Sequence, residues 1–277
     1  MGRRDRVVLH VPAGPALVRP LDPGDAGAGR RAERRRSGAR CRNPRRADAA
    51  GGRRRSGRER SVIAWAAVDP AVGEIEHERG DVVVPAASTI KLFVYSAFRR
   101  SKLDPGDSAA VAPAGGSGVA EHLRAPLTLT DHAFLMLAVS DNASTNVLLE
   151  RVGLDAVADE IARLGLRHTA VRRLMMRAGP ENETTAVDLA FGLYRLLEEP
   201  FAGDLVAALT VAADAESFLP YALPGVAVAA KSGELDSVRH EVALLRDADR
   251  RLVTAVCSAP PARPDELAAV AARRWRA

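Results

Sequence analysis

Short apolar segments near both ends of the chain predict β-strands. Five segments share an apolar or alternating character and are bounded by turn residues, which is typical of strands. They are residues 62–68, 74–78, 226–232, 240–245 and 252–257. Pro70 and Gly73 lie in the predicted turn of the first pair, and residues 247–250 form the turn of the last pair.

The middle of the chain carries apolar residues at helical spacing instead. Possible N-caps and terminating glycines bound several of these stretches, as at Thr128 or Thr130, Gly153, Gly165 and Thr184-Thr185. The predicted helices are residues 132–139, 143–152, 154–164 and 184–197, one that begins between Pro85 and Ser88 and continues through Phe98, and a terminal helix at 260–277.

This order of elements predicts an α+β fold. We expect a five-stranded antiparallel sheet with flanking helices, built from strands at both ends of the chain, and an all-helical lobe from the middle. The sheet lobe would comprise residues 61–84 and 211–277, and the helical lobe residues 85–210. The natural active site of such a protein is the cleft between the lobes.

Residues 1–60 differ in composition from the rest of the chain. They contain 18 arginines against six carboxylates, a balance of +12, so the other 217 residues carry −7 of the net charge of +5. Apolar periodicity is nearly absent after Val18, and we predict a disordered segment. No aromatic residue accompanies the arginines, so no specific nucleic-acid site is predicted.

Several other classes of protein are disfavoured. No apolar run approaches the 18 residues that span a bilayer, and His10, Pro12 and Pro15 interrupt any signal-peptide core, so the sequence favours a cytoplasmic location. Cys41 and Cys257 lie in unlike surroundings, which disfavours a disulfide. We expect a monomer without cofactor or metal.

Candidate chemistry begins at Ser88-Thr89-Ile90-Lys91. Residues three apart on a helix share a face, which places the Ser88 hydroxyl beside the Lys91 amine. An amine with a lowered pKa can accept the serine proton. Only three of the 40 basic residues are lysines, namely Lys91, Lys102 and Lys231. Arginine stays protonated, so a lysine in an arginine-rich chain indicates a position where a neutral amine is useful.

Two further motifs give this pair a context. Ser140-Asp141-Asn142 lies between two predicted helices, and Lys231-Ser232-Gly233 ends a predicted strand. Alone, the first is also a common helix cap and the second a common strand end. In this order and spacing, the three motifs resemble those of the penicillin-recognising serine enzymes, and residues 85–92 and 136–146 resemble class A β-lactamases. The resemblance covers residues 61–277 and implies a β-lactamase/transpeptidase-like fold.

The resemblance implies a role for each matching residue. Ser88 would be the acylated nucleophile, Lys91 its proton acceptor, and Ser140 the donor to the departing nitrogen. Lys231 would hold the Ser140 hydroxyl and an anionic small-molecule substrate. The expected substrate-binding groups are Asn142 for a side-chain amide, Ser232 for a carboxylate, and Gly233-Glu234, where the Glu234 N–H joins the Ser88 N–H in an oxyanion hole.

One position departs from the family pattern. Class A enzymes use a glutamate to activate the water that releases the acyl group, and Met175 falls at that position here, two residues after the loop arginine Arg173. Glu181 could replace it or be an ordinary loop carboxylate. Glu183 could replace it or favour a helix N-terminus. We therefore expect acylation of Ser88 by β-lactams or related amides and esters, followed by slow release.

Other functions remain open on the sequence alone. A D-alanyl-D-alanine peptidase or an esterase would use the same Ser88–Lys91 pair. A non-catalytic family member would bind a lactam or peptidoglycan-like ligand without turnover. A nucleic-acid role of the arginine-rich segment is a further alternative.

Overall fold

The computed structural model describes residues 61–277. The predictions for residues 1–60, including disorder and any nucleic-acid role, lie outside the described residues. The longer strands lie near the two ends of the described chain, and helices occupy most of its middle. The strands are β1 (Val62–Asp69), β2 (Glu74–Glu78), β3 (Val84–Pro85), β4 (Ser108–Ala109), β5 (Leu127–Thr128), β6 (Glu183–Thr184), β7 (Ala227–Leu235), β8 (Val238–Arg246) and β9 (Arg251–Ala259). The helices are α1 (Lys91–Arg100), α2 (Leu129–Ala138), α3 (Asn142–Val152), α4 (Leu154–Leu164), α5 (Ala186–Leu196), α6 (Ala202–Glu216), α7 (Leu219–Ala222) and α8 (Pro264–Arg276).

The predicted α+β fold with a five-stranded antiparallel sheet is confirmed. The strand order is β2-β1-β9-β8-β7, with antiparallel pairing throughout, so strands from both ends of the chain meet between β1 and β9. Strand β7, which carries Lys231-Ser232-Gly233, is at one edge of the sheet.

Alternation along β1 explains how the sheet is covered on both faces. Ala64, Ala66 and Val68 belong to one apolar cluster, which includes much of α1 and α5, whereas Trp65 and Ala67 belong to a second cluster with α8. Successive strand residues point to opposite faces, so an uninterrupted apolar strand is suited to a sheet buried on both sides. The sheet therefore provides a rigid support for β7.

Helix α1 lies inside the protein rather than on its surface. Every residue from Lys91 to Phe98 is buried, including the lysine itself. Helices α2, α3 and α5 begin at the predicted kind of cap: the side chains of Thr128, Asp141 and Thr185 each accept a hydrogen bond from a backbone N–H of the first turn. A buried α1 fixes its first residues relative to the sheet.

Three details differ from the sequence-based predictions. Residues 87–90 form a 3₁₀ turn, and the α-helix itself begins only at Lys91. Helix α6 was not predicted; the proposed boundary between lobes at residues 210 and 211 falls inside it, and the division into lobes stays a prediction. Glu183 belongs to β6, so it is not the residue at a helix N-terminus. Within residues 61–277, no helix is both long and apolar enough to cross a membrane.

Candidate active site

Ser88 and Lys91 are brought together by the 3₁₀ turn that precedes α1. The Lys91 amine Nζ lies 3.0 Å from the Ser88 hydroxyl Oγ. Ser88 is partly exposed, whereas Lys91 has no exposed surface. A substrate can therefore reach the hydroxyl, and the amine behind it is shielded from water.

The hydrogen bonds of Lys91 indicate what its amine can do. Besides Ser88 Oγ, Nζ lies 2.7 Å from the Ser140 carbonyl oxygen, 2.9 Å from Asn142 Oδ1 and 3.0 Å from Ser140 Oγ. The amide orientation of Asn142 is consistent, because its Nδ2 donates to the Gly115 carbonyl at 3.1 Å. A carbonyl and an amide oxygen can only accept. In a neutral amine these two acceptors use both N–H groups, and the lone pair is left for the hydroxyls of Ser88 and Ser140.

The surroundings of Lys91 favour that neutral amine. Burial, and then the positive charge of Lys231, lower the pKa of Lys91 well below its usual value of 10.5, while Glu216 and Asp141 act in the opposite direction. Burial disfavours the charged form of an amine because it removes the hydration of the ion. Lys91 is therefore suited to accept a proton.

Asp141 organises the segment that carries Ser140. Its carboxylate accepts hydrogen bonds from the backbone N–H groups of Ser144 at 2.7 Å, Val119 at 2.5 Å and Ala120 at 2.7 Å. It thus caps α3 and fastens the preceding loop to it. A Cβ added at Gly118 would come within 2.3 Å of this carboxylate. Only glycine at position 118 therefore lets the loop lie this close to Asp141.

Three of the four non-glycine residues with positive φ within residues 61–277 lie at or next to candidate site residues, and the fourth is Arg79. Ala87, Ser140 and Met176 have φ values of 50°, 54° and 59°, in the left-handed region that residues other than glycine rarely occupy. Such residues are destabilised by about 1–3 kcal/mol each and cluster at functional sites. Ala87 immediately precedes the candidate nucleophile, so the strained backbone conformation helps to set the position of Ser88.

Strand β7 approaches Ser88 closely at Gly233. A Cβ added there would lie 3.1 Å from each of Ser88 N, Ala87 Cβ and Thr89 Cγ2, which is tighter than ordinary contact. The absent side chain thus lets the β7 backbone lie beside the Ser88 N–H. The Glu234 side chain is exposed and forms an ion pair with Arg239, so any part of Glu234 in the site is its backbone.

Lys231 has different partners from those expected. Its amine donates to the Ser232 carbonyl at 3.1 Å and lies 3.6 Å from Glu216 Oε2. Within residues 61–277, no hydrogen bond joins it to Ser140, whose hydroxyl is instead bound to Lys91. The Ser232 hydroxyl donates to Glu216 Oε2 at 2.9 Å. Burial lowers the pKa of Lys231, and Glu216 opposes that shift.

The backbone of Met175 is hydrogen-bonded to Asn146, and its side chain is buried. Its N–H donates to Asn146 Oδ1 at 2.7 Å, and Asn146 Nδ2 donates to its carbonyl at 3.2 Å. The side chain belongs to the main apolar cluster. The two nearby carboxylates, Glu181 and Glu183, form ion pairs with Arg173 and Arg172 of the same loop, respectively. These ion pairs hold the carboxylates of Glu181 and Glu183 against loop arginines, which disfavours either of them as the base that activates water.

Sequence reasoning missed two residues of this region. Asn146 lies one helical turn after Asn142, and that spacing could have indicated that both amides share a face of α3. Glu216 had no such signal, because nothing in a helix end predicts which distant strand its side chain contacts. Within the described residues, no cluster of three or more histidine, cysteine, aspartate or glutamate side chains could hold a metal ion.

The comparisons with known proteins identify the family of the chain. The sequence model of the beta-lactamase enzyme family matches residues 57–274. No curated protein matches the chain significantly by sequence. A beta-lactamase structure from Sphaerobacter thermophilus shares 31% identity with a TM-score of 0.67, over 72% of this chain and 83% of that one.

Two more distant structures share the fold. A class A beta-lactamase from Mycobacterium abscessus is 23% identical with a TM-score of 0.68, over 78% of this chain and 95% of that one. A mutant of PBP-A, in an acyl-enzyme complex with penicillin G, is 22% identical with a TM-score of 0.69, over 79% and 90%. The resemblance to penicillin-recognising serine enzymes is confirmed. The chain belongs to the beta-lactamase enzyme family and is, at the level of that family, a serine hydrolase.

Proposed function

We propose that this protein forms an acyl-enzyme on Ser88 with β-lactams or related amides and esters, and releases the acyl group slowly. The observation that carries the proposal is the environment of the Lys91 amine. Its Nζ lies within hydrogen-bonding distance of two oxygens that can only accept and of the Ser88 and Ser140 hydroxyls. In the neutral amine, the two acceptors take both N–H groups and the lone pair can accept a proton from either hydroxyl. Acyl transfer requires a base in this position.

The proton transfers balance with the residues present. Lys91 takes the proton of Ser88 as Oγ attacks the carbonyl carbon, and the carbonyl oxygen becomes negative. The oxyanion is stabilised by backbone N–H groups of Ser88 and Glu234. When the tetrahedral oxyanion re-forms the carbonyl, the lactam C–N bond breaks. The departing nitrogen takes a proton from Ser140, which recovers one from the protonated Lys91. The lactam is opened without loss of atoms.

Slow release follows from the residue at position 175. Hydrolysis of the ester needs a base that activates water, and a methionine side chain cannot accept a proton. Met175 is buried in the apolar cluster, and the carboxylates of Glu181 and Glu183 are paired with loop arginines. A PBP-A mutant of the same fold forms an acyl-enzyme complex with penicillin G, so a protein of this fold can hold such an adduct.

Intact-protein mass spectrometry after incubation with benzylpenicillin tests the proposal. We expect a single adduct with the full mass of the lactam, located on Ser88 by peptide mapping, that persists for many minutes. A Ser88→Ala variant should give none. Absence of an adduct together with absence of hydrolysis would support a non-catalytic binder. An adduct only with peptide or simple ester substrates would favour the peptidase or esterase alternative.

A further inference from the structure

Glu216 lies against the two side chains that would bind the carboxylate of an anionic substrate. It is the last residue of α6, and its Oε2 atom accepts a hydrogen bond from Ser232 Oγ at 2.9 Å. The same oxygen lies 3.6 Å from the Lys231 amine. One carboxylate oxygen of the protein therefore accepts the Ser232 hydrogen bond and forms an ion pair with Lys231.

The two side chains of this ion pair differ in burial. The Lys231 side chain has no exposed surface, whereas one third of the Glu216 side chain is exposed. The Lys231 amine is therefore shielded from water, and the negative charge of Glu216 stabilises its protonated form. Neighbouring Glu241 is also buried, but burial raises its pKa to about 7, so it is a weaker source of negative charge than Glu216. The positive charge expected to attract an anion is thus matched mainly by Glu216 of the chain itself.

We propose that Glu216 is a specificity-determining residue that favours substrates without a carboxylate at the Lys231–Ser232 position. A substrate carboxylate at these donors would replace Glu216 or lie beside it, and two like charges at one site repel each other. A neutral ester or amide group meets no such repulsion. The inference rests on the proposed acylation of Ser88, and it replaces the anionic substrate expected from the family resemblance by substrates that are neutral at this position.

Paired substrates test the proposal with the full chain. The second-order rate constant of acylation is measured with benzylpenicillin and with its uncharged methyl ester, for the wild type and for Glu216→Gln. Glutamine keeps the size and removes the charge. We expect the ratio of the anionic to the neutral rate constant to rise at least about tenfold, the usual order for removing a repulsive charge at a binding site.

The ratio separates specificity from a general effect on the base. Glu216 also raises the pKa of Lys91, so its substitution alters proton transfer from Ser88 for both substrates alike and cancels in the ratio. Asp214→Asn is the matched control, because Asp214 is an exposed acid on the same helix two residues earlier. Its ratio should stay within threefold of the wild type. Glu216→Ala provides a second variant in case glutamine retains the hydrogen bond from Ser232.

Each outcome decides the question. If the acylation rate constants of both substrates fall equally, Glu216 only holds Lys231 in place. If the ratio and both rate constants are unchanged in both variants, the Glu216 side chain moves away from a substrate carboxylate without an energetic penalty. Either result overturns the inference, while acylation of Ser88 stands. If neither substrate forms an adduct with any variant, the proposed function fails and the inference falls with it.

Discussion

Replacing Lys91 by methionine should abolish most acylation without unfolding the protein. Methionine keeps an unbranched side chain of similar length in a fully buried position. The Ser140 carbonyl and the Asn142 amide oxygen lose a donor, at about 1–3 kcal/mol each, but a buried amine is also removed. These effects oppose each other, so we expect a small net change in the free energy of unfolding.

The effect on rate follows from the cost of making the amine neutral. A lysine with its usual pKa of 10.5 would be neutral in about one molecule in 3,000 at pH 7, which corresponds to about 4.8 kcal/mol. A positioned base typically contributes about 10²–10⁴ in rate, or about 3–5 kcal/mol. The base would thus be nearly useless without the lowered pKa. With it, Lys91→Met should reduce the acylation rate about 10²–10⁴-fold.

The assay is the acylation rate constant for a chromogenic lactam between pH 5 and 10. In the wild type the rate should rise as Lys91 loses its proton and level off well below pH 10.5, because the neutral amine is the active form. Lys91→Met should be slow at every pH. Lys102→Met, at the exposed lysine, is the matched control and should behave as the wild type. A Lys91→Met rate within threefold of the wild type would refute the assignment, as would a wild-type rate still rising at pH 10.

Three other changes have directions set by the structure. Burial raises the pKa of Glu241 to about 7 from its usual 4.5, so the folded protein holds a proton that the unfolded chain releases. The associated stability, about 3 kcal/mol, is present below pH 4.5 and lost as the pH rises through 7. Glu241→Gln should remove this loss, and parallel urea-unfolding profiles of both proteins at pH 5 and pH 8 would contradict the assignment. Met175→Glu should shorten the adduct lifetime at least about tenfold relative to Met175→Gln, as followed by mass spectrometry; equal lifetimes would show that this position does not limit release. Gly233→Ala places a Cβ 3.1 Å from Ser88 N and should slow acylation about 10²-fold, whereas Gly203→Ala, which meets nothing within 4 Å, should not. Equal rates for the two alanine variants would count against an oxyanion hole at β7.

Much of the fold could be predicted because local patterns and tertiary structure agree. The five main strands were apparent as apolar runs, and Thr128, Asp141 and Thr185 cap helices as their sequence context suggests. Helix α6 escaped prediction because alanine and valine dominate it and polar residues are sparse, which leaves a weak contrast between its faces.

The sequence proposes the residues of the candidate site, and these stay a prediction, but it does not reveal most of their contacts. Ser88 and Lys91 are close because three residues along a helical turn bring them together, which sequence spacing reveals. The bonds from Lys91 to Ser140 and Asn142, and the contact of Glu216 with Ser232, join residues distant in the chain. Such contacts depend on how α1 packs against α3 and how α6 packs against β7, and no local pattern encodes that packing.

The most direct test of acyl-enzyme accumulation is a burst experiment with a chromogenic lactam in excess over the protein. We predict a rapid burst of one equivalent of opened lactam per molecule, followed by a steady state at least about 100-fold slower, with neither phase in Ser88→Ala. Sustained turnover at the initial rate would contradict slow release, and the absence of any burst or turnover would contradict acylation of Ser88.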